Sequence, residues 1–309
     1  MELYNEDDIP NLVVKKNHDS DDLSVVNAAR VSFAKEHTEL LFTEEIDDSK
    51  LINYLARHRH FTPFTHQHFR FKGIDLSMDD LRFIIDNKIP VKLNNNNFTD
   101  WSISLFGLVD LFVTHWGYSP PLALKEGLGI SIDALIRAKG VNPINLKCYD
   151  CYHRGFGVEV DTNFKTLYYK MPIFVARQWF KHNRDFQRNE ESRRYISDAP
   201  EFLCPNNFRQ RPKGSIKQGS SKEIVENNQE LRHNTKNVIH SSCMSYLNKI
   251  DSGCAPEQAR GDLPQWMMTS FWETAHIDDY QRLFGLRISG DAQQEATLYA
   301  MAARNLIEE

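Results

Sequence analysis

Ile173-Phe174-Val175-Ala176-Arg177-Gln178-Trp179-Phe180-Lys181-His182-Asn183-Arg184-Asp185-Phe186-Gln187-Arg188-Asn189-Glu190-Glu191-Ser192-Arg193-Arg194-Tyr195 organises the reading of this chain. Its first part continues an apolar run that begins at residue 167, so the chain enters it from a buried element. From Arg177 onward it changes character, with six Arg or Lys side chains in nineteen positions. Like charges within about 8 Å repel appreciably at physiological salt, so such crowding calls for anions in reply. Arginine forks match phosphate oxygens two at a time. Ser192 and Asn189 add neutral donors and Glu190 adds an acceptor. The segment reads as a site for a phosphate joined to a polar ring; the plainer alternative is a solvated, charged helix.

Two further segments carry chemistry. Upstream, Arg57-His58-Arg59-His60-Phe61-Thr62-Pro63-Phe64-Thr65-His66-Gln67-His68 is dense in ring nitrogens and positive charge. It suits an anion or a cofactor. A metal is the weakest option, since no acidic residue or cysteine lies close in sequence to complete a ligand set. A basic helix end followed by a proline turn would look the same. Downstream lie Ala259-Arg260-Gly261-Asp262-Leu263-Pro264, Phe271-Trp272-Glu273-Thr274-Ala275-His276 and Arg282-Leu283-Phe284-Gly285-Leu286-Arg287, followed by Ala292-Gln293-Gln294-Glu295. Arg287 ends an apolar helix, where the helix dipole alone favours a cation.

Composition narrows the classes. The 309 residues are 41% hydrophobic and 11% aromatic, enough for a substantial core, with a formal charge of −5. That balance excludes a general polyanion binder, so no nucleic-acid partner is expected. No apolar run reaches the roughly 18–20 residues of a membrane helix, and the acidic start has no signal-peptide pattern. Five cysteines do not make a disulfide framework, and a reducing cytoplasm is the expected location. Cys148-Tyr149-Asp150-Cys151 with His153 is half a metal site at most, because no second pair follows. No metal is assigned.

Along the chain, periodicity predicts a short helix over residues 23–33, a second from about 48 to 59, and a strand at 67–72. The stretch from 73 to about 166 reads as an insertion with small helices of its own. It contains Asn94-Asn95-Asn96-Asn97, a Pro120-Pro121 break and a helical segment running to 141. Residues 205–222 are polar, the signature of a loop. Helices are expected at about 222–249, 256–263, 265–286 and from about 292. The fold class that follows is α+β, a helix-rich single domain around an antiparallel sheet, interrupted by an insertion at about 74–167.

In this order, the three segments resemble the flavin-dependent thymidylate synthase family. Ala28-Ala29-Arg30-Val31-Ser32 matches its early Ala-Ala-Arg-x-Ser block. His60 to His66 matches His-x-Thr-Pro-Phe-Glu-His except for Thr65, and Phe174 to Trp179 matches Phe-Val-Ala-Arg-Gln-Trp. Asn189 to Tyr195 fits Asn-Glu-x-Ser-x-Arg-Tyr, and Ala259–Pro264 and Leu286–Glu295 fit the closing blocks. The likeness covers about residues 24–72 and 168–305. It departs at the triplet Arg-His-Arg: counting back from Ser192 puts His182-Asn183-Arg184 there, with the Arg-Gln-Trp block one residue too far upstream, so either the helix carries an extra residue or Lys181 supplies the missing cation from a shifted turn. His276 and Arg282 stand where the family usually has asparagines.

The resemblance implies reductive methylation of carbon 5 of dUMP to give dTMP. FAD carries the hydride, NADPH and methylene-tetrahydrofolate are co-substrates, and no cysteine attacks the ring; Cys204-Pro205 lacks the surroundings of such a nucleophile. It implies a nucleotide site of Gln178, Lys181, Glu190, Ser192, Arg193, Arg194, Arg260 and Arg287. Arg287 and Ser192 are the candidate catalytic residues, the first stabilising charge on the pyrimidine and the second acting as a donor. His60, Thr62, His182, Asn183, Arg184, Asn189, Glu190, His276 and Arg282 are the candidate cofactor residues. A homotetramer is implied as well. Two alternatives stay open: a paralogue that methylates or hydroxymethylates another pyrimidine nucleotide such as dCMP, and a nucleotide-binding protein without catalysis.

Overall fold

The computed structural model describes residues 2–16, 21–31, 48–153, 155–194, 196–212, 220–290 and 292–308. By contact the chain divides into two compact units. One comprises Met1–Lys16, Val31–Glu36 and Lys165–Glu309; the other comprises Asn17–Arg30 and His37–Phe164. The class is α+β, as the sequence led us to expect.

In the first unit a four-stranded sheet has the order Gln187–Glu190, Met268–His276, Phe164–Pro172, Val13–Lys16. Both outer strands run antiparallel to their neighbours. Phe164–Pro172 ends on a proline, which cannot extend the ladder, and the chain turns at once into the short helix Ile173–Trp179. The core behind the sheet gathers Trp179, Phe271, Tyr280, Leu283, Tyr299 and Ala303. The helix Asn228–Asp251 buries only Ile239, Cys243 and Tyr246, one narrow stripe at helical spacing, and is otherwise solvated. The C-terminal helix is Gln294–Glu308, and the helix expected at 256–263 is a single turn, Pro256–Ala259, with a 3-10 extension.

One expected element is overturned. Residues 265–286 are not one helix: Met268–His276 is a strand, and only Ile277–Arg287 is helical. All nine residues of the strand are buried. A strand covered on both faces needs no polar side to alternate with, so its period is invisible in the sequence. His276 then closes the strand and opens the helix, its Nδ1 accepting from the Asp278 N–H at 3.2 Å.

In the second unit the strand order is Val91–Asn94, Asn97–Ser104, His68–Lys72, Gly157–Val160, antiparallel throughout. Helices Asp22–Arg30, Asp48–Arg57 and Lys125–Ala138 complete it. Ser32, Phe33 and Asp47 of the early helix predictions lie outside the described residues. Asn95 and Asn96 have φ of 52° and 56°, the left-handed pair of a type I′ turn, so the asparagine run is a hairpin tip. The expected insertion is therefore not a set of appended helices. Two of its strands bracket His68–Lys72, one on each edge.

Candidate active site

In the first unit the site grows from one register. The outer strand Gln187–Glu190 pairs with Met268–His276 so that Arg188 lies opposite Glu273. Side chains directly opposite on an antiparallel pair share a face. Arg188 Nε accordingly donates to Glu273 Oε2 at 2.6 Å. Glu273 is wholly buried, and Trp179 Nε1 donates to both of its oxygens at 3.2 and 3.1 Å. Burial pushes the Glu273 carboxyl up, and the Arg188 charge pulls it back. The Arg188 guanidinium lies over the rings of Phe180, at 5.2 Å, and Phe186, at 4.9 Å.

Arg188 reaches further. Its Nη2 donates to the His182 carbonyl at 2.5 Å, fixing the turn that joins Ile173–Trp179 to the outer strand. That turn is not helical, and Asp185 sits in it at φ 64°. The one-residue excess between the Arg-Gln-Trp block and the triplet is thus absorbed in a loop, where no helix face has to rotate. His182 Nε2 accepts from Arg287 Nε at 2.8 Å, and Arg287 Nη2 donates to the Gln178 carbonyl at 3.2 Å. Gln178 Nε2 donates to Gln293 Oε1 at 2.5 Å. Thr297 Oγ1 donates to the Arg287 carbonyl at 2.7 Å, so the end of the helix is tied to Gln294–Glu308. Burial lowers the Arg287 pKa. His182 is lowered to about 4, by burial first and then by the charges of Arg287, Arg188 and Arg282.

The remaining sites named from the sequence divide. Lys181, Asn183 and Arg184 are exposed at the turn, Arg184 beside Asp185 at 3.3 Å. Arg282 donates to the Arg184 carbonyl at 3.4 Å and pairs with Asp279 at 3.1 Å. Glu190 Oε1 accepts from Thr269 Oγ1 at 2.8 Å, and its carboxyl is pushed up by the surrounding protein against the pull of that hydrogen bond and of Arg260. Arg194 Nε donates to Ser192 Oγ at 3.4 Å, and Arg193 donates to the Asp198 carbonyl at 2.6 Å. Asn189 and His276 are buried in the sheet and at the helix cap, respectively. Tyr195 lies outside the described residues. His60 and Thr62 belong to the second unit, both exposed, on the turn after Asp48–Arg57. His68 there stacks on Phe164 with centroids 3.6 Å apart, and His153 stacks on Tyr149 at 4.2 Å. Among the described residues no group of three or more His, Cys, Asp or Glu could hold a metal ion.

Sequence reasoning passed over Glu273, Arg188 as its partner, and the acceptor role of His182. The one clue to Glu273 in the sequence is that it is the sole acidic residue between Asp262 and Asp278, directly after the aromatic pair Phe271-Trp272.

The model of the thymidylate synthase complementing protein family matches residues 12–96 and 160–309. The chain belongs to this family. A flavin-dependent thymidylate synthase of Aquifex aeolicus is 28% identical over 93% of this chain and 94% of its own length. Those of Thermosipho africanus, at 32%, and Thermus thermophilus, at 34%, match 47% and 45% of this chain and 63% and 50% of their own lengths. A crystal structure of the UMP/dUMP methylase PolB from Streptomyces cacaoi bound with 5-Br UMP aligns over 99% of this chain and 90% of that one, at 18% identity and a TM-score of 0.44. Within the thymidylate synthase complementing protein family, then, the match spans the arginine-rich segment and the imidazole of His182. The family match leaves out 97–159, a stretch that includes the partner strand Asn97–Ser104 and most of Gly157–Val160.

Proposed function

We propose that this chain is a flavin-dependent thymidylate synthase, a methyltransferase that converts dUMP to dTMP with methylene-tetrahydrofolate, NADPH and FAD. Family membership across the whole arginine site carries this reading. The geometry supports it by holding Arg287 as an aimed fork: Nε and Nη2 are engaged by His182 and Gln178, and its other N–H groups remain for a ligand. Such a fork suits the carbonyl edge of a pyrimidine, and a fixed cation there stabilises negative charge developing on the ring. Arg193, Arg194 and Arg260, with Lys181, are the phosphate side; Glu190, Ser192 and Gln178 supply the polar contacts to sugar and base. Asn183 and Arg184 form an exposed donor pair whose chemistry fits the phosphates of FAD. The other candidate flavin residues of this proposal are Asn189, His276 and Arg282 in the first unit and, separately, His60 and Thr62 in the second. When bound, the reduced flavin supplies the hydride; the protein binds, orients and shields. No thiol is needed, and Cys204 suits no such role, because it is buried and burial pushes its thiol up.

The chain as a single family domain interrupted near 74–167, assembled as a homotetramer, belongs to the same proposal; light scattering on the purified protein measures the assembly. Among the described residues no helix is long and apolar enough to cross a membrane.

The deciding experiment incubates the protein with dUMP, FAD, NADPH and methylene-tetrahydrofolate and follows the nucleotide by mass spectrometry. A one-methyl gain that requires all three additions is expected. The second reading, a paralogue acting on another pyrimidine nucleotide, is favoured by the imidazole at position 182, and dCMP in a parallel tube tests it. A gain on dCMP alone, or a hydroxymethyl-sized gain, transfers the assignment; no gain on either leaves a binding protein.

A further inference from the structure

We propose that His182 is a positioning residue for Arg287, acting through its unprotonated Nε2. The inference rests on the reading of Arg287 as the cation at the pyrimidine.

Arg287 Nε is a donor only, so the ring atom that meets it at 2.8 Å must be an acceptor, and the single proton of the imidazole lies on Nδ1. With its lone pair so engaged, Nε2 cannot also accept from a cofactor. The rest of the ring's setting is built around that contact. The His182 backbone is held from the other side by Arg188, which Glu273 and two aromatic faces fix in turn. A rigid line therefore runs from a buried carboxylate through Arg188 and His182 to the guanidinium. Burial first, and then the cations Arg287 and Arg282 from the helix and Arg188 from the strand, favour the neutral ring that this contact requires. An arginine at this position would bring a fourth cation and no acceptor. With Nε fixed by His182 and Nη2 by the Gln178 carbonyl, the plane of the Arg287 fork is determined before any ligand arrives.

The test compares His182→Leu, which removes the acceptor, with His182→Gln, whose amide oxygen accepts but does not titrate. Leu is expected to lower kcat for dUMP methylation by about ten- to a hundredfold, the scale of a misaimed catalytic group, with KM for dUMP changed little. Gln is expected to recover most of the loss, and both variants should retain the flavin absorbance of the wild type. Loss of flavin in both variants, or a Gln variant no better than Leu, overturns the proposal and returns His182 to the cofactor. A second readout needs no turnover. Nitrogen-15 spectra of the histidines, assigned with the Gln variant, should show an Nδ1–H tautomer for His182 between about pH 5.5 and 8, with Nε2 shifted in Arg287→Lys. A protonated Nε2 sinks the geometry. If instead the wild type fails to methylate any pyrimidine while the tautomer is as expected, the assigned function fails and the positioning contact stands.

Discussion

The Arg188–Glu273 pair is the clearest case of a residue whose role only the register reveals. From sequence, Arg188 was one cation among six and Glu273 part of a motif; neither position says that the two are opposite one another. Once paired, removing one partner strands the other's charge in the core, which costs about 3–5 kcal/mol. Glu273→Gln is therefore expected to lower stability by roughly 3 kcal/mol, read as the urea midpoint at constant slope, and to loosen the turn that holds His182. A midpoint unchanged from the wild type would mean that Arg188 finds another anion. His182 gives a pH signature. Its pKa is lowered from 6.5 to about 4 in the fold, so between those values the unfolded chain binds more protons. The stabilisation is complete above about pH 6.5 and is lost as the pH falls toward about 4. Melting temperatures at pH 7.5 and 4.5 should thus drop more in the wild type than in His182→Gln, and an equal drop counts against the depressed imidazole. The arginines themselves were legible because six cations in one stretch are chemically conspicuous; their individual tasks were not, since those depend on what lies across the sheet.

At the scale of elements, the sequence marked helices with one wet face, but not the partly exposed strands Val91–Asn94, Asn97–Ser104 and Gly157–Val160 inside the expected insertion, which are too short to show a period. Asp48–Arg57 and Lys125–Ala138 show their buried stripe, whereas the asparagine run, expected only as part of the insertion, is a hairpin tip whose two central residues have φ > 0. Met268–His276 failed the same test because both faces are covered. The cap at its end explains one departure from the family pattern. A helix N-cap needs a short side chain with an acceptor aimed at the next turn's N–H groups, and asparagine is among the best. His276 Nδ1 does the same for the Asp278 N–H, so an exchange between the two residues preserves the helix Ile277–Arg287 that carries Arg287. His276→Asn is expected to match the wild type in thermal stability, whereas His276→Ala should cost about 1 kcal/mol. Equal losses in both variants would show that the imidazole is needed for its packing and not for the cap.

For the whole molecule, the informative disagreement concerns residues 97–159, which the family match leaves out. An insertion read from sequence suggests something removable. The sheet says otherwise. The strand His68–Lys72 has two neighbours, Asn97–Ser104 and Gly157–Val160, and the first lies inside the unmatched stretch with most of the second. On the core side, Phe69 and Phe71 are fully buried against residues from the same stretch, with the Phe71 ring stacked on Trp101 at 4.7 Å. Excising the stretch would leave backbone donors and acceptors on both edges of that strand without partners, and two phenylalanines facing water. Burying a phenylalanine side chain is worth about 1.5–3 kcal/mol, against a total stability of only about 5–15 kcal/mol for a domain. Joining residue 96 to residue 160 is therefore expected to abolish cooperative unfolding of the unit formed by Asn17–Arg30 and His37–Phe164 and to drive the chain into aggregates. Soluble yield, together with a circular-dichroism melt of whatever remains soluble, measures this. A soluble deletion variant that melts cooperatively within a few degrees of the parent would show that His68–Lys72 can recruit other partners, and that the stretch is an ornament after all.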